Sequence, residues 1–229
     1  PSRRTVLSWS GTFHAVGARM LRIHAVRIGL DPAFGILDRG DAADLLDVLR
    51  HELDFARSKR RFPGKDTCLA VYSQCVNTGR PLDQVLAGQF PWCHEWQDEL
   101  RRLFRAYVER KQAHGVLDYD DLLLYWQQML TDPELAAQTG GCFDQILVDE
   151  YQDTNVLQAR ILSSLRPGGM GLTVVGDDAQ AIYSFRGASV DNILGFAQQF
   201  TPPATVVTLE ENYRSTAPIL AAANTLMAD

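Results

Sequence analysis

Three apolar runs in the second half of the chain each end abruptly in a polar cluster, and no other feature constrains the fold as much. Ile146-Leu147-Val148 stops at Asp149-Glu150. Leu172 to Val175 gives way to Gly176-Asp177-Asp178-Ala179-Gln180, and Thr205 to Leu209 to Glu210-Glu211-Asn212-Tyr213-Arg214. Runs this short and apolar, separated by the helical patterns TNVLQARILSSL and SVDNILGFAQQF, predict buried parallel strands joined by crossover helices. The carboxyl ends of such strands lie together beside the ligand crevice, so the three clusters are expected to share one edge.

Upstream the pattern is helical. Phe13, Val16, Ala18, Met20, Leu21 and Ile23 fit one face of a helix from Phe13 to about Ile28, with Thr12 as its N-cap, and TVLSWSGTFH before it reads as a strand and turn. Pro32, Gly35 and Gly40 then break helicity. Beyond them Leu45, Leu49 and Leu53 recur at helical steps, as do Trp92, Trp96, Leu100, Leu103, Phe104 and Tyr107. The expected organisation is α/β: residues 1–30 and 116–229 form parts of one unit with a parallel sheet, and residues 31–115 an inserted all-α subdomain. The start at Pro1 rather than Met, and the end inside the helical pattern TAPILAAANTLMAD, give the expectation of a piece of a longer protein.

Composition narrows the function. With 229 residues and 46% hydrophobic content, a sizeable core is available. A formal charge of -6 gives no global attraction to nucleic acid, so any such binding must rest on stacking, backbone contacts and basic stretches such as ARSKRRFPGK and RRLFRAYVERK. Arg60 and Arg61 are the candidates there for duplex phosphates. The four cysteines form no C-x-x-C pair, so reduced thiols are expected. No apolar run approaches the roughly 18 residues needed to span a bilayer; a soluble, cytoplasmic protein without membrane contact is expected.

Hydrolysis of a nucleotide phosphate needs a carboxylate to help hold Mg²⁺, a group to orient or deprotonate the attacking water, and a cation for charge developing on the γ-phosphate. Asp149, Glu150 and Arg214 supply one candidate for each role, and Gln180 one for the phosphate or the water. The blocks ILVDEYQDTN, VVGDDAQAIYSFRGA and LEENYRST, preceded by GTFHAVGARMLR, resemble helicase motifs II, III, IV and Ib of the UvrD/Rep-like superfamily 1 DNA helicases. LDYDDLL, Leu117 to Leu123, is similar to a segment that the family carries shortly before motif II.

The resemblance implies a RecA-like P-loop NTPase parallel sheet, incomplete here, with ATP and Mg²⁺ as cofactors. It makes Asp149 a Mg²⁺ ligand, Glu150 the activator of water, Gln180 the γ-phosphate sensor, Tyr213 an adenine stacker and Arg214 the arginine finger. Tyr183 and Phe185 match positions that stack with single-stranded DNA bases, although many relatives have Trp where Phe185 stands, and Arg186 matches one linking that groove to the nucleotide. Thr12, Phe13 and His14 match the motif that touches the single strand from the start of a helix.

A phosphate loop, G-x-x-x-x-G-K-[ST], is expected to lie elsewhere. The Gly-Lys pair Gly64-Lys65 has Lys59 in place of the earlier Gly and Asp66 in place of Ser/Thr. The implied function is part of an ATP-dependent DNA helicase that translocates on single strands and unwinds duplex DNA in repair, replication or recombination. Its partners would be single-stranded DNA, single/double-strand junctions, a missing N-terminal segment and a second RecA-like domain. The fragment alone is expected to be inactive. Alternatives are a non-catalytic DNA-binding or interaction module derived from a helicase, or the helicase part of a helicase–nuclease.

Overall fold

The structure is a computed structural model that describes residues 9–55, 61–182, 188 and 190–228. The first helix starts where the Thr12 hydroxyl accepts a hydrogen bond from the Ala15 N–H at 3.3 Å, which satisfies an amide that the helix cannot pair itself. Helix α1, Phe13–His24, buries Gly17, Ala18, Met20 and Leu21. It tightens into a 3₁₀ turn, Ala25–Ile28, closed by Gly29 in the left-handed region at φ 75.

Chain excursion and return follow. Strand β1, Gly35–Ile36, pairs in parallel with β2, Val116–Leu117, so the chain leaves and comes back at one place. Neither strand was legible in the apolar pattern, because two residues carry no periodicity. Between them lie α2 (Arg39–Glu52), α3 (Lys65–Thr78), α4 (Leu82–Gln89) and α5 (Gln97–His114). Their inward faces form one cluster that includes Leu46, Leu49, Phe62, Cys68, Val71, Leu86, Leu100, Leu103 and Tyr107. Trp92 and Trp96, expected in the same helix as Tyr107, instead fall in a 3₁₀ segment, Pro91–Trp96. Pro91 opens that segment, a position where a missing N–H costs no hydrogen bond, and α5 begins only at Gln97.

A second cluster is built from both sides of that excursion. Met20, Leu21 and Phe34 pack with Leu122, Leu123, Trp126 and Met129 of α6 (Tyr119–Met129), Leu135 of α7 (Pro133–Gly140), and Leu157, Ile161 and Leu165 of α8 (Val156–Leu165). Reciprocal capping boxes start two of these helices: Asp118 with Asp121 for α6, and Asn155 with Gln158 for α8.

Where α5 meets α6, a charged group is buried. Lys111 Nζ lies 2.6 Å from both Asp118 Oδ2 and Asp121 Oδ2, and the Tyr107 hydroxyl donates to Asp118 Oδ2 at 2.7 Å. Burial, and next the neighbouring Asp118, raise the Asp121 carboxyl to about 6 against the pull of Lys111. Asp120 is raised too, by burial first and then Asp118, although it accepts from Ser73 and from Asn77 Nδ2. A basic residue of RRLFRAYVERK is thus part of the interior. Arg101 and Arg110 of the same stretch pair with Asp98 at 2.7 Å and Glu52 at 2.6 Å. Of the pair proposed to meet duplex phosphates, Arg61 is exposed and Arg60 lies outside the described residues.

The second sheet carries the polar clusters. Strand β3, Ile146–Val148, pairs in parallel with β4, Leu172–Val174, in the register Ile146↔Leu172 and Val148↔Val174. Together with the helices this is an α/β arrangement, mostly helical with short parallel strands. The expected third strand does not form: residues 205–209 have no regular structure, and Val206, Val207 and Leu209 are exposed. An apolar β-branched run becomes a strand only where a neighbouring edge pairs with it, and no such pairing reaches 205–209 among the described residues. The helix expected over SVDNILGFAQQF is broken as well, into α9 (Asp191–Leu194) and a 3₁₀ turn at Ala197–Gln199, with Gly195 closing α9. The break lets Phe196 and Phe200 pack with Tyr151, Val148 and Leu162. Helix α10, Ala217–Ala228, ends the described chain.

Candidate active site

Strand β3 ends at Val148, and the next two residues are exposed carboxylates. Asp149 Oδ1 accepts from the Glu150 N–H at 3.0 Å. Glu150 itself adopts φ 51, ψ 44, a left-handed conformation that is unfavourable for a residue with a Cβ. This kink turns the chain from the strand into a 3₁₀ turn, Tyr151–Asp153. The backbone is clamped across the sheet, since Val175 N–H donates to Val148 O at 2.8 Å and Tyr151 N–H to Val175 O at 2.9 Å.

Opposite, β4 leads to Gly176 and Asp177. A Cβ on Gly176 would lie 2.5 Å from Gln152 Oε1 and 2.7 Å from Ile193 Cδ1, so any side chain there would have to displace the Gln152 amide or the Ile193 side chain. Asp177 Oδ1 caps the 3₁₀ turn Asp178–Gln180 by accepting from the Ala179 N–H at 3.0 Å. Its Oδ2 accepts from Gln180 Nε2 at 2.8 Å.

Gln152 joins the two halves. It is 1% exposed; its Nε2 donates to Glu150 Oε2 at 2.7 Å and its Oε1 accepts from the Asp177 N–H at 3.1 Å. Sequence reasoning passed over it because a glutamine inside DEYQD carries no signal of burial. Two of the three expected clusters therefore meet. The third does not join them: Tyr213 is 88% exposed, Arg214 is exposed, and Arg214 makes no ion pair with Asp149 or Glu150 among the described residues. Local bonds organise that loop instead, with Asn212 Oδ1 accepting from Arg214 N–H and Ser215 N–H at 2.9 Å.

The carboxylates fit a hard divalent cation that keeps water and phosphate oxygens as its other ligands, as Mg²⁺ does. They do not form an all-protein cage: no group of three His, Cys, Asp or Glu residues is arranged to hold a metal among the described residues. Gly64 and Lys65, which do not fit a phosphate loop, begin α3, and the Lys65 ammonium pairs with Asp44.

The profile of the UvrD/REP helicase N-terminal domain matches residues 3–201. The chain belongs to the UvrD/REP helicase N-terminal domain family. It is 36% identical over 220 residues to DNA helicase II of Escherichia coli (strain K12), covering 96% of this chain and 29% of the relative. ATP-dependent DNA helicase PcrA of Leuconostoc citreum is 34% identical over 221 residues, covering 96% and 28%. A probable DNA helicase II homolog of Rickettsia felis is 36% identical over 234 residues, covering 95% and 33%. The chain thus spans about a third or less of the length of these relatives.

Three more of the residues singled out in this UvrD/REP domain, Thr12, Phe13 and His14, stand at the start of α1. Thr12 is exposed, with its hydroxyl used in the cap. Phe13 packs inward, 6.4 Å from the Trp126 ring. His14 is half-buried, 5.5 Å from the Tyr119 ring, and burial lowers its pKa, which favours a neutral imidazole at pH 7. Tyr183, Phe185 and Arg186 lie outside the described residues. No helix among the described residues is long and apolar enough to cross a membrane.

Proposed function

We propose that this chain is the catalytic-carboxylate part of an ATP-dependent DNA helicase, in which residues 1–30 and 116–229 belong to a RecA-like ATPase domain and residues 31–115 to an inserted helical subdomain. The observation that carries the reading is the meeting of Asp149-Glu150 with Asp177–Gln180 across paired parallel strands, in a chain of this family. Mg²⁺, when bound, would neutralise phosphate charge in the transition state. Asp149 helps hold it. Glu150 orients and deprotonates the attacking water, and Gln180 contacts the γ-phosphate after leaving Asp177. Tyr213 stacks on adenine and Arg214 faces the developing charge once the loop after residue 204 closes on the site.

Thr12, Phe13 and His14 contribute to the single-strand groove, together with Tyr183, Phe185 and Arg186. Of the first three, Thr12 and the backbone at the start of α1 are best placed for a phosphate. The partners are single-stranded DNA and junctions, plus the phosphate-loop segment and second RecA-like domain supplied by the rest of a longer, cytoplasmic protein acting in DNA repair. The test is ATP hydrolysis with and without single-stranded DNA. The natural full-length protein is expected to hydrolyse ATP, its Glu150→Gln variant to lose at least about 100-fold in kcat, and the 229-residue chain to show no turnover. Unchanged kcat in Glu150→Gln, or turnover by the chain alone, would overturn the reading.

A further inference from the structure

We propose that Gln152 is the positioning residue that holds the Glu150 carboxylate for its role in hydrolysis and ties it to the turn that carries Gln180. The inference rests on the function proposed above and adds a residue to it.

The geometry allows one orientation of the amide. Gln152 is 1% exposed, so both ends of its side chain need partners inside the protein. Its Nε2 meets a carboxylate oxygen of Glu150 and its Oε1 meets the backbone N–H of Asp177. A flipped amide would set oxygen against carboxylate and NH₂ against N–H, two repulsive contacts in place of two bonds. The bridge is therefore directional, and it extends through the Asp177 carboxylate to Gln180 Nε2.

The surroundings are shaped for this bridge. Gly176 leaves the space that Gln152 Oε1 occupies, and the Tyr151 N–H bond to Val175 O fixes the backbone beside it. An exposed glutamate has freely rotating side-chain torsions, whereas a base must be held to within about 0.5 Å of its productive position. Gln152 is the buried group that touches the Glu150 carboxylate and supplies that constraint.

Two substitutions in the natural full-length protein separate the links. Gln152→Glu keeps the shape and the acceptor for the Asp177 N–H but sets a carboxylate against Glu150. Gln152→Met removes both bonds. Both variants are expected to lose about 10–100-fold in kcat for DNA-stimulated ATP hydrolysis, the cost of a reacting group misplaced by about 1 Å, with KM for ATP within about twofold. Amide hydrogen exchange, measured without nucleotide, gives a second readout: the segment 176–180 stays protected in Gln152→Glu and loses protection in Gln152→Met.

Undiminished kcat in both variants, with a wild type that hydrolyses ATP, would overturn the role of Gln152 and leave the nucleotide site standing. That role is equally overturned if melting curves show that the fall in kcat matches a fall in folded protein, or if exchange at 176–180 is equal in all three proteins. A wild type without ATP hydrolysis would instead remove the proposed function, and the role of Gln152 with it.

Discussion

Replacing Lys111 by Met should be among the most damaging single changes available in the helical excursion. The ammonium lies 2.6 Å from two carboxylate oxygens, and the side chains of Lys111, Asp118 and Asp121 are 2%, 4% and 8% exposed. At that distance and an effective dielectric near 20, each contact is worth about 6 kcal/mol before desolvation. Several kcal/mol per ion are lost when these charges leave water, so the intact cluster contributes little net stability. Removing one partner is different, because two carboxylates stay buried with hydrogen-bond donors but without the cation that balanced their charge, at a cost of about 3–5 kcal/mol. Whole domains are stable by only about 5–15 kcal/mol.

Urea unfolding of wild type and Lys111→Met at pH 8 and pH 5 measures this loss. Acidification should return part of it, because Asp121 can take up a proton once its cation has gone. A loss below about 1 kcal/mol at pH 8, or one of equal size at both pH values, would refute the argument that uncompensated charge is the cause.

The native protein should also show its carboxyl group in its pH profile. Asp121 is raised to about 6 from 3.8, so the folded state binds this proton more tightly than the unfolded chain. Its contribution is present in full below about pH 4 and is lost as pH rises through about 6; urea midpoints of Asp121→Asn should vary less than wild type across that window. At Glu150, Gly should be more stable than Ala by about 1 kcal/mol, since both lose the carboxylate but only Ala keeps a Cβ at φ 51; thermal melts that rank Ala above Gly would contradict the kink. Asn155 Nδ2 donates to Asn77 Oδ1 at 2.8 Å, and Asn77 Nδ2 to Asp120 Oδ1 at 2.8 Å. A double-mutant cycle of Asn77→Ala and Asn155→Ala should therefore give a coupling of about 1 kcal/mol, whereas additive losses would show that the two helices are not joined through these amides.

Much of the local structure was legible in the residues themselves. Thr12 caps α1 as its position before an apolar face predicts, α8 begins after Asn155, and the runs at Ile146 and Leu172 become paired parallel strands. Each is decided within one or two turns of chain, where periodicity and capping act, and the clusters Asp149-Glu150 and Asp177–Gln180 were visible because they sit where those elements stop. Tertiary structure decided the rest. The run at Thr205 had the composition of a strand but no edge to pair with among the described residues, so its cluster stayed apart. Lys111 counted as one more cation of the basic stretch RRLFRAYVERK, and Gln152 drew no notice inside DEYQD, until α6 and Asp177 came within hydrogen-bond reach of them. A buried polar group is defined by its partner, and those partners lie 10 and 25 positions away along the chain, beyond the range over which a local pattern carries information.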